Sequence, residues 1–336
     1  MFPKSWASCL LVFLLLGLLC NTAFPQAAQI DPSFNTGTGF NGTVYGTIEQ
    51  PNGKLLVFGS FSTFNGTARA RIARLNQDGS LDTSFLPSSS SSTIYCAALL
   101  ADGKILVGGS SIGSAPSRYG VARLNADGSL DALFDPGSSF DSTVYALSVQ
   151  SDGKIVVGGA FTQGLARVTS TGSLDASFFV GAGLSGTVRV VYPLPAGRMM
   201  IGGSFSSVHG VSRSNLARLN ADGSVDTTFG ASGSGPSSTV YCIQRQQDGC
   251  LILAGTFGSV NGASRAYLAR VGADGVLDSL FAPTISSSVY ALSLIQDGRM
   301  LIGGDFTTID GVSYQRLALL RADGKPDASF NTSAEV

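Results

Sequence analysis

SDGKIVVGGAF, residues 151–161, sets a lysine beside a glycine and closes on a glycine pair, the composition of a phosphate-binding loop. Near-copies run through the chain: PNGKLLVFGSF from Pro51, ADGKILVGGSS from Ala101, PAGRMMIGGSF from Pro195, QDGCLILAGTF from Gln247 and QDGRMLIGGDF from Gln296. One phosphate loop serves one domain, so six copies point to architecture. Their turn glycines, Gly53, Gly103, Gly153, Gly197, Gly249 and Gly298, stand 50, 50, 44, 52 and 49 residues apart. A period of that length, with several strands per unit, predicts a propeller and not a helical solenoid.

The third unit shows how a blade is read. TVYALSVQ (143–150) is β-branched and apolar and predicts a first strand. Asp152-Gly153 offers two residues able to take positive φ, as a tight hairpin turn requires. KIVVGG (154–159) is apolar at consecutive positions, so both faces of this second strand are expected to be buried. LARV (165–168) is a third strand, and a turn at Gly172 leads to SLDASF (173–178) as the fourth. The second turn is Asp-Gly again at Asp78, Asp127, Asp222, Asp274 and Asp323. No stretch after the leader has sustained helical periodicity. The expected fold is all-β, a six-bladed β-propeller of four-stranded antiparallel blades, in which closure protects the strand edges. DPSF (31–34) repeats the LDxxF motif that ends the units at Phe85, Phe134, Phe178, Phe229, Phe281 and Phe330. This seventh copy either latches the last blade or belongs to a seven-bladed or larger ring.

Lys4 followed by the apolar run Leu10–Leu19 reads as an export leader, with small residues at Ala23 and Ala28 for cleavage. Residues 1–28 are expected to be the signal peptide and 29–336 a single propeller domain, found extracellularly, at the cell surface or in the periplasm. Cys20 invites a lipid anchor, against which the bulky Leu19 argues. No membrane span is expected once the leader is gone. Three cysteines remain, Cys96, Cys242 and Cys250, and an odd number argues against a disulfide framework. Cys96 and Cys242 read as small buried hydrophobes. With 13% charged residues and a formal net charge of −1, the chain has no electrostatic footprint for nucleic acid or an anionic membrane.

The ordered pattern DGKILVGG … ARLNADGSLDxxF resembles the delta-60 repeat of exported bacterial proteins, over Asp31 to Phe330. The first hairpin also resembles the kelch repeat through its glycine pair, but lacks kelch's tryptophan. The delta-60 resemblance implies a propeller of unassigned role and brings no catalytic residues with it.

Other motifs have structural readings. GTGFNG (37–42) fits a dinucleotide fingerprint, yet the β-rich TVYGTIEQ follows where a helix would have to start. LNADGSLD (124–131) has EF-hand-like spacing at Asn125, Asp127 and Gly128, but Arg123 and Phe134 occupy ligand positions, so an Asp-Gly turn is the better reading. Arg74, Arg123, Arg167, Arg218 and Arg270 recur with Asp82, Asp131, Asp175, Asp226 and Asp278, which predicts a bidentate pair within each blade. Catalytic parts are scarce. The chain has one histidine, His209, and two glutamates, Glu49 and Glu335, so no cofactor, metal site or catalytic residue is assigned.

Antiparallel order puts both Asp-Gly turns on one end of each blade and the variable loops on the other. On the loop end, Tyr45, Tyr95, Tyr145, Tyr241 and Tyr290 open first strands, and the fourth unit has Arg189 instead. Arg189 flanked by Tyr145 and Tyr241, with His209 in a nearby loop, forms the candidate ligand site, suited to a carboxylate, sulfate or sugar acid. The leading expectation is a non-enzymatic, exported binding or scaffold propeller for a glycan or protein ligand. The alternative is a propeller hydrolase or lyase using aspartates at the channel mouth.

Overall fold

The computed structural model describes residues 31–87, 92–112, 118–178, 181, 183–230 and 233–330. The proposed leader, with Cys20, lies outside them. Two compact units divide the chain: Asp31–Val180 carries the first three blades and Gly181–Val336 the other three. The fold is all-β and propeller-like, with six repeated blades. The described residues contain one 3-10 turn, Pro195–Gly197, as their helical element.

In the third blade Val144–Val149 pairs antiparallel with Ile155–Gly159, which pairs with Leu165–Val168. Every residue of Ile155–Gly159 is buried. The reason is clearest in the fifth blade, where alternate residues serve two interfaces. Leu251 and Leu253 pack with Met200, Leu216 and Phe229 of the fourth blade, while Ile252 and Ala254 pack with Ile285, Val289 and Met300 of the sixth. A strand with blades on both faces needs apolar residues at every position.

The structure differs from the sequence expectation at three points. In the first hairpin Gln150 N–H donates to Lys154 O and Gly153 N–H donates back to Gln150 O, so the loop has three residues. Only Gly153 takes positive φ (80°); Asp152 instead accepts the Lys154 N–H on its carboxylate. That is the turn-plus-bulge form of a hairpin, and it needs one left-handed residue. The fourth strand is reduced to a single bridge per blade, Val168 to Leu174 in the third. Asp175 then bends the chain, because its Oδ1 accepts both the N–H and the hydroxyl of Ser177 at 3.0 and 2.6 Å. This local side-chain turn competes with the ladder and ends it.

The third difference is the Arg–Asp pair, which forms but is not a bidentate fork. Arg123 Nε meets Asp131 Oδ2 at 2.7 Å, and Lys104 Nζ meets the same oxygen at 2.8 Å. Asp131 Oδ1 is already committed to the Leu133 N–H. The other guanidinium arm of Arg123 crosses to the next blade and donates to Ser170 O, as Arg74 does to Ala126 O and Arg270 to Ala322 O. The guanidinium also lies over the ring of Phe134, 5.0 Å from its centroid. In the sixth blade Leu319 stands where the other blades have this arginine. There Arg299, at the lysine position of the first turn, reaches Asp327 at 3.0 Å.

The extra N-terminal motif has a place. Phe34 N–H donates to Asp31 O, and Asn35 N–H donates to Asp78 O at 2.8 Å. Leu86 makes the same bond to Asp127 of the second blade, and Gly230 to Asp274 of the fifth. Residues 31–35 therefore dock on the first blade as Leu86, Asp135 and Gly230 dock on the second, third and fifth.

Candidate functional site

The glycine that closes each recurring stretch, the second of a pair in four of the six, faces a β-bulge. Val144 pairs with Gly159 and Ala146 with Gly158, which leaves Tyr145 as an extra residue outside the register. Tyr45, Tyr95, Arg189, Tyr241 and Tyr290 are the displaced residues of the other five blades. A bulge bends its strand and re-aims the side chain it carries. Across from it the backbones come very close: a Cβ on Gly159 would lie 2.3 Å from Thr143 O, and one on Gly255 2.0 Å from Thr239 O. Thr143 O is also the acceptor for Ala160 N–H at 2.8 Å, so it has little room to retreat. The glycines that look like phosphate binders let six side chains be displaced from the ladder. Gly159→Ala is accordingly expected to cost about 1–3 kcal/mol, read as a lower midpoint in urea; an unchanged midpoint would show that the bulge yields freely.

The displaced side chains meet from blade to blade. In the first unit Tyr45 and Tyr95 have ring centroids 5.1 Å apart, and Tyr95 and Tyr145 4.9 Å. In the second unit Tyr241 and Tyr290 stand 5.4 Å apart, and the guanidinium carbon of Arg189 lies 6.0 Å from the Tyr241 centroid. Tyr45 is 43% exposed, so this ladder presents ring area to solvent. Partial burial, followed by the neighbouring Tyr95 and Tyr145, pushes the Tyr45 hydroxyl above its ordinary pKa. Burial also raises Tyr290, whose hydroxyl donates to Asp305 Oδ2 at 3.1 Å. Both remain neutral hydroxyls at pH 7.

Of the residues singled out in the sequence, Tyr241 and Arg189 are brought together. Tyr145 ends the ladder of the first unit. His209 occupies a left-handed turn position (φ 53°) that Asn65, Asn261 and Asp310 fill in sibling blades. Its N–H donates to Gly183 O, as the Asn65 N–H does to Gly39 O and the Asn261 N–H to Gly235 O. The aligned turn residues N-G, N-G and D-G carry that signal in the sequence.

Several other titratable groups are engaged in turns or packed in the core. Asp127 Oδ1 accepts from Ser129 N–H and its hydroxyl, as a turn aspartate does. Cys96 and Cys242 pack against the hydrophobic clusters, and burial pushes the Cys242 thiol up to about 11. Among the described residues no three His, Cys, Asp or Glu side chains gather as a metal site would need. Asp305, beside the ladder, is engaged by the Tyr290 hydroxyl and by Arg316 at 3.3 Å. No helix among the described residues is long and apolar enough to cross a membrane.

Comparison with solved structures finds the same architecture. An extracellular domain from B. thetaiotaomicron, assigned to a hybrid two component system, superposes with a TM-score of 0.55 at 13% identity. That match covers 88% of this chain and 34% of the other, so this chain spans about a third of that protein's length. A catalytically inactive virginiamycin B lyase from Staphylococcus aureus, in complex with quinupristin, gives 0.54 at 15% identity, covering 83% and 84% of the two chains. At these identities the likeness shows the fold alone. No curated protein matches the sequence. The family model described as "Domain of unknown function (DUF5122) beta-propeller" matches residues 50–85, 100–134, 150–178, 195–229, 246–281 and 295–330, one segment per blade. These segments make up more than half of the sequence, and the chain belongs to the DUF5122 β-propeller family.

Proposed function

We propose that this protein is an exported, non-enzymatic binding propeller that takes an anionic ligand, a sugar acid or a sulfated glycan, at Arg189. One observation carries the reading. Five of six equivalent bulges display tyrosine, and the fourth displays a half-buried arginine with its guanidinium beside the face of Tyr241. An arginine held against an aromatic ring keeps donors for a carboxylate or sulfate while the ring gives area to a sugar face. The enzymatic alternative needs two loop-end aspartates to converge. Asp305, the aspartate at the ladder, is instead engaged by Tyr290 and Arg316.

The test replaces Arg189 with the residue its siblings use. Arg189→Tyr is expected to leave the thermal midpoint unchanged, because the bulge already accepts tyrosine in five blades. Affinity for the acidic probe that wild type binds best, from an array of uronate and sulfated oligosaccharides, should fall about ten- to hundredfold. Equal affinity in wild type and variant would place the anion site elsewhere.

A further inference from the structure

The second unit holds an open cavity at the seam between its first two blades, the fourth and fifth, and two departures from the other blades of this unit open it. The first is at the mouth of the third strand, where each of the six blades has a left-handed residue: Arg71, Gly120, Gly164, Asn215, Tyr267 and Arg316, with φ between 62 and 73°. Arg71 and Arg316 extend long side chains, to Ser60 O and to Asp305 respectively. Asn215 is short and folds inward, donating to Pro236 O at 2.8 Å and accepting the Phe205 N–H at 3.1 Å.

The second departure is on the loop entering the fifth blade. Here Pro236 bridges to Val260, where the equivalent bridges elsewhere use Phe40 on Phe64 and Ile285 on Ile309. A small residue at both positions, on facing sides of one seam, leaves about 500 Å³ of open space.

The lining is neutral and rich in hydroxyls. Ser185, Ser204, Ser206, Ser214 and Ser237 face the space with the Asn215 amide, and no Asp, Glu, Lys or Arg belongs to the described lining. Ser185 and Ser206 are already joined, Oγ to Oγ at 2.8 Å, which fixes their orientation. Ser204 and Ser214 have no hydrogen bond of their side chains among the described residues, so they present hydroxyls to a guest. A smaller cavity of about 120 Å³ shares Ser214 and Pro236 with this one and is backed by Leu216, Phe229 and Val271. The volume falls within the roughly 300–1,000 Å³ range of small-ligand sites. Each serine hydroxyl both donates and accepts. The lining offers a charged guest no counter-ion, and an apolar guest would strand the hydroxyls it covers. A neutral polyhydroxy compound avoids both costs.

We propose that this seam is a second binding site, for a neutral saccharide of one or two hexose units, separate from the anion site at Arg189. The probes are glucose, galactose and mannose with the disaccharides maltose, cellobiose and lactose, each read against the exported protein by saturation-transfer NMR and calorimetry. Wild type is expected to bind at least one of them. Asn215→Tyr, which installs the residue of the fifth blade, and Pro236→Ile, which installs that of the sixth, should each fill the seam and weaken that probe at least tenfold. Ser214→Ala should weaken it severalfold, and it keeps the test open if a filling variant fails to fold. Arg189→Tyr should leave neutral-sugar binding unchanged while it weakens acidic-probe binding as predicted above, so the two sites fail or stand separately. Failure of all six sugars to bind wild type, or equal binding by the folded filling variants, would overturn the proposal.

Discussion

Asp131→Ala is expected to cost about 3–5 kcal/mol of folding stability, the penalty for removing one partner of a buried ion pair. The carboxylate is 4% exposed as a residue and serves two cations, Arg123 and Lys104. Its removal leaves Arg123 beside Lys104 with no counter-ion and frees the Leu133 N–H that shapes the turn. The damage should cross the blade boundary, since Arg123 also holds Ser170 O of the third blade. Asp131→Asn should cost less, because it retains an acceptor for Leu133.

The same carboxylate makes stability depend on pH. Burial alone would raise its pKa, but the bond from Lys104, the Leu133 amide and Arg123 outweigh burial and hold it at about 2, against an ordinary 3.8. A folded pKa below the unfolded one gives stability that is complete above about pH 4 and lost as pH falls through 2, about 2 kcal/mol for this residue. Asp82, Asp175, Asp226, Asp278 and Asp327 are lowered in the same direction. Denaturant midpoints measured at pH 6, 4, 3 and 2 should fall steeply below pH 4, and less so in Asp131→Asn. A flat profile to pH 2 would show that these pairs contribute nothing net.

Phe281→Ala is the second change expected to cost about 3–5 kcal/mol. Its ring is 0% exposed and belongs to the cluster joining the fifth and sixth blades. Arg270 lies over the ring, with its guanidinium carbon 5.1 Å from the centroid. On the next blade Gly324 comes so near that a Cβ there would lie 2.8 Å from the ring. Truncation therefore opens a cavity at a blade interface and removes the surface on which Arg270 rests. Phe281→Leu should fall between wild type and alanine, and a midpoint equal to wild type in Phe281→Ala would mean that the blades close over the gap.

The sequence alone determined the blade. Six spaced copies, a second strand apolar at every position, Asp-Gly turns and Arg and Asp eight residues apart all act within one unit of about 50 residues, so their chemistry can be read locally. It also marked Arg189 as the odd member of a tyrosine set. Only the tertiary structure decided what the glycine pairs are for. The bulge opposite Gly159 is a matter of register between two strands, and neither strand states its register by itself. The Arg–Asp pairs looked self-contained, but the second arms of Arg74, Arg123, Arg218 and Arg270 act on the next blade, which in-blade spacing does not reveal. The seam cavity was least legible. Asn215 and Pro236 are ordinary residues 21 positions apart, and they matter because the fold sets two small side chains on facing sides of one gap. Volume left unfilled between blades is a property of both blades together, and no single stretch of chain encodes it.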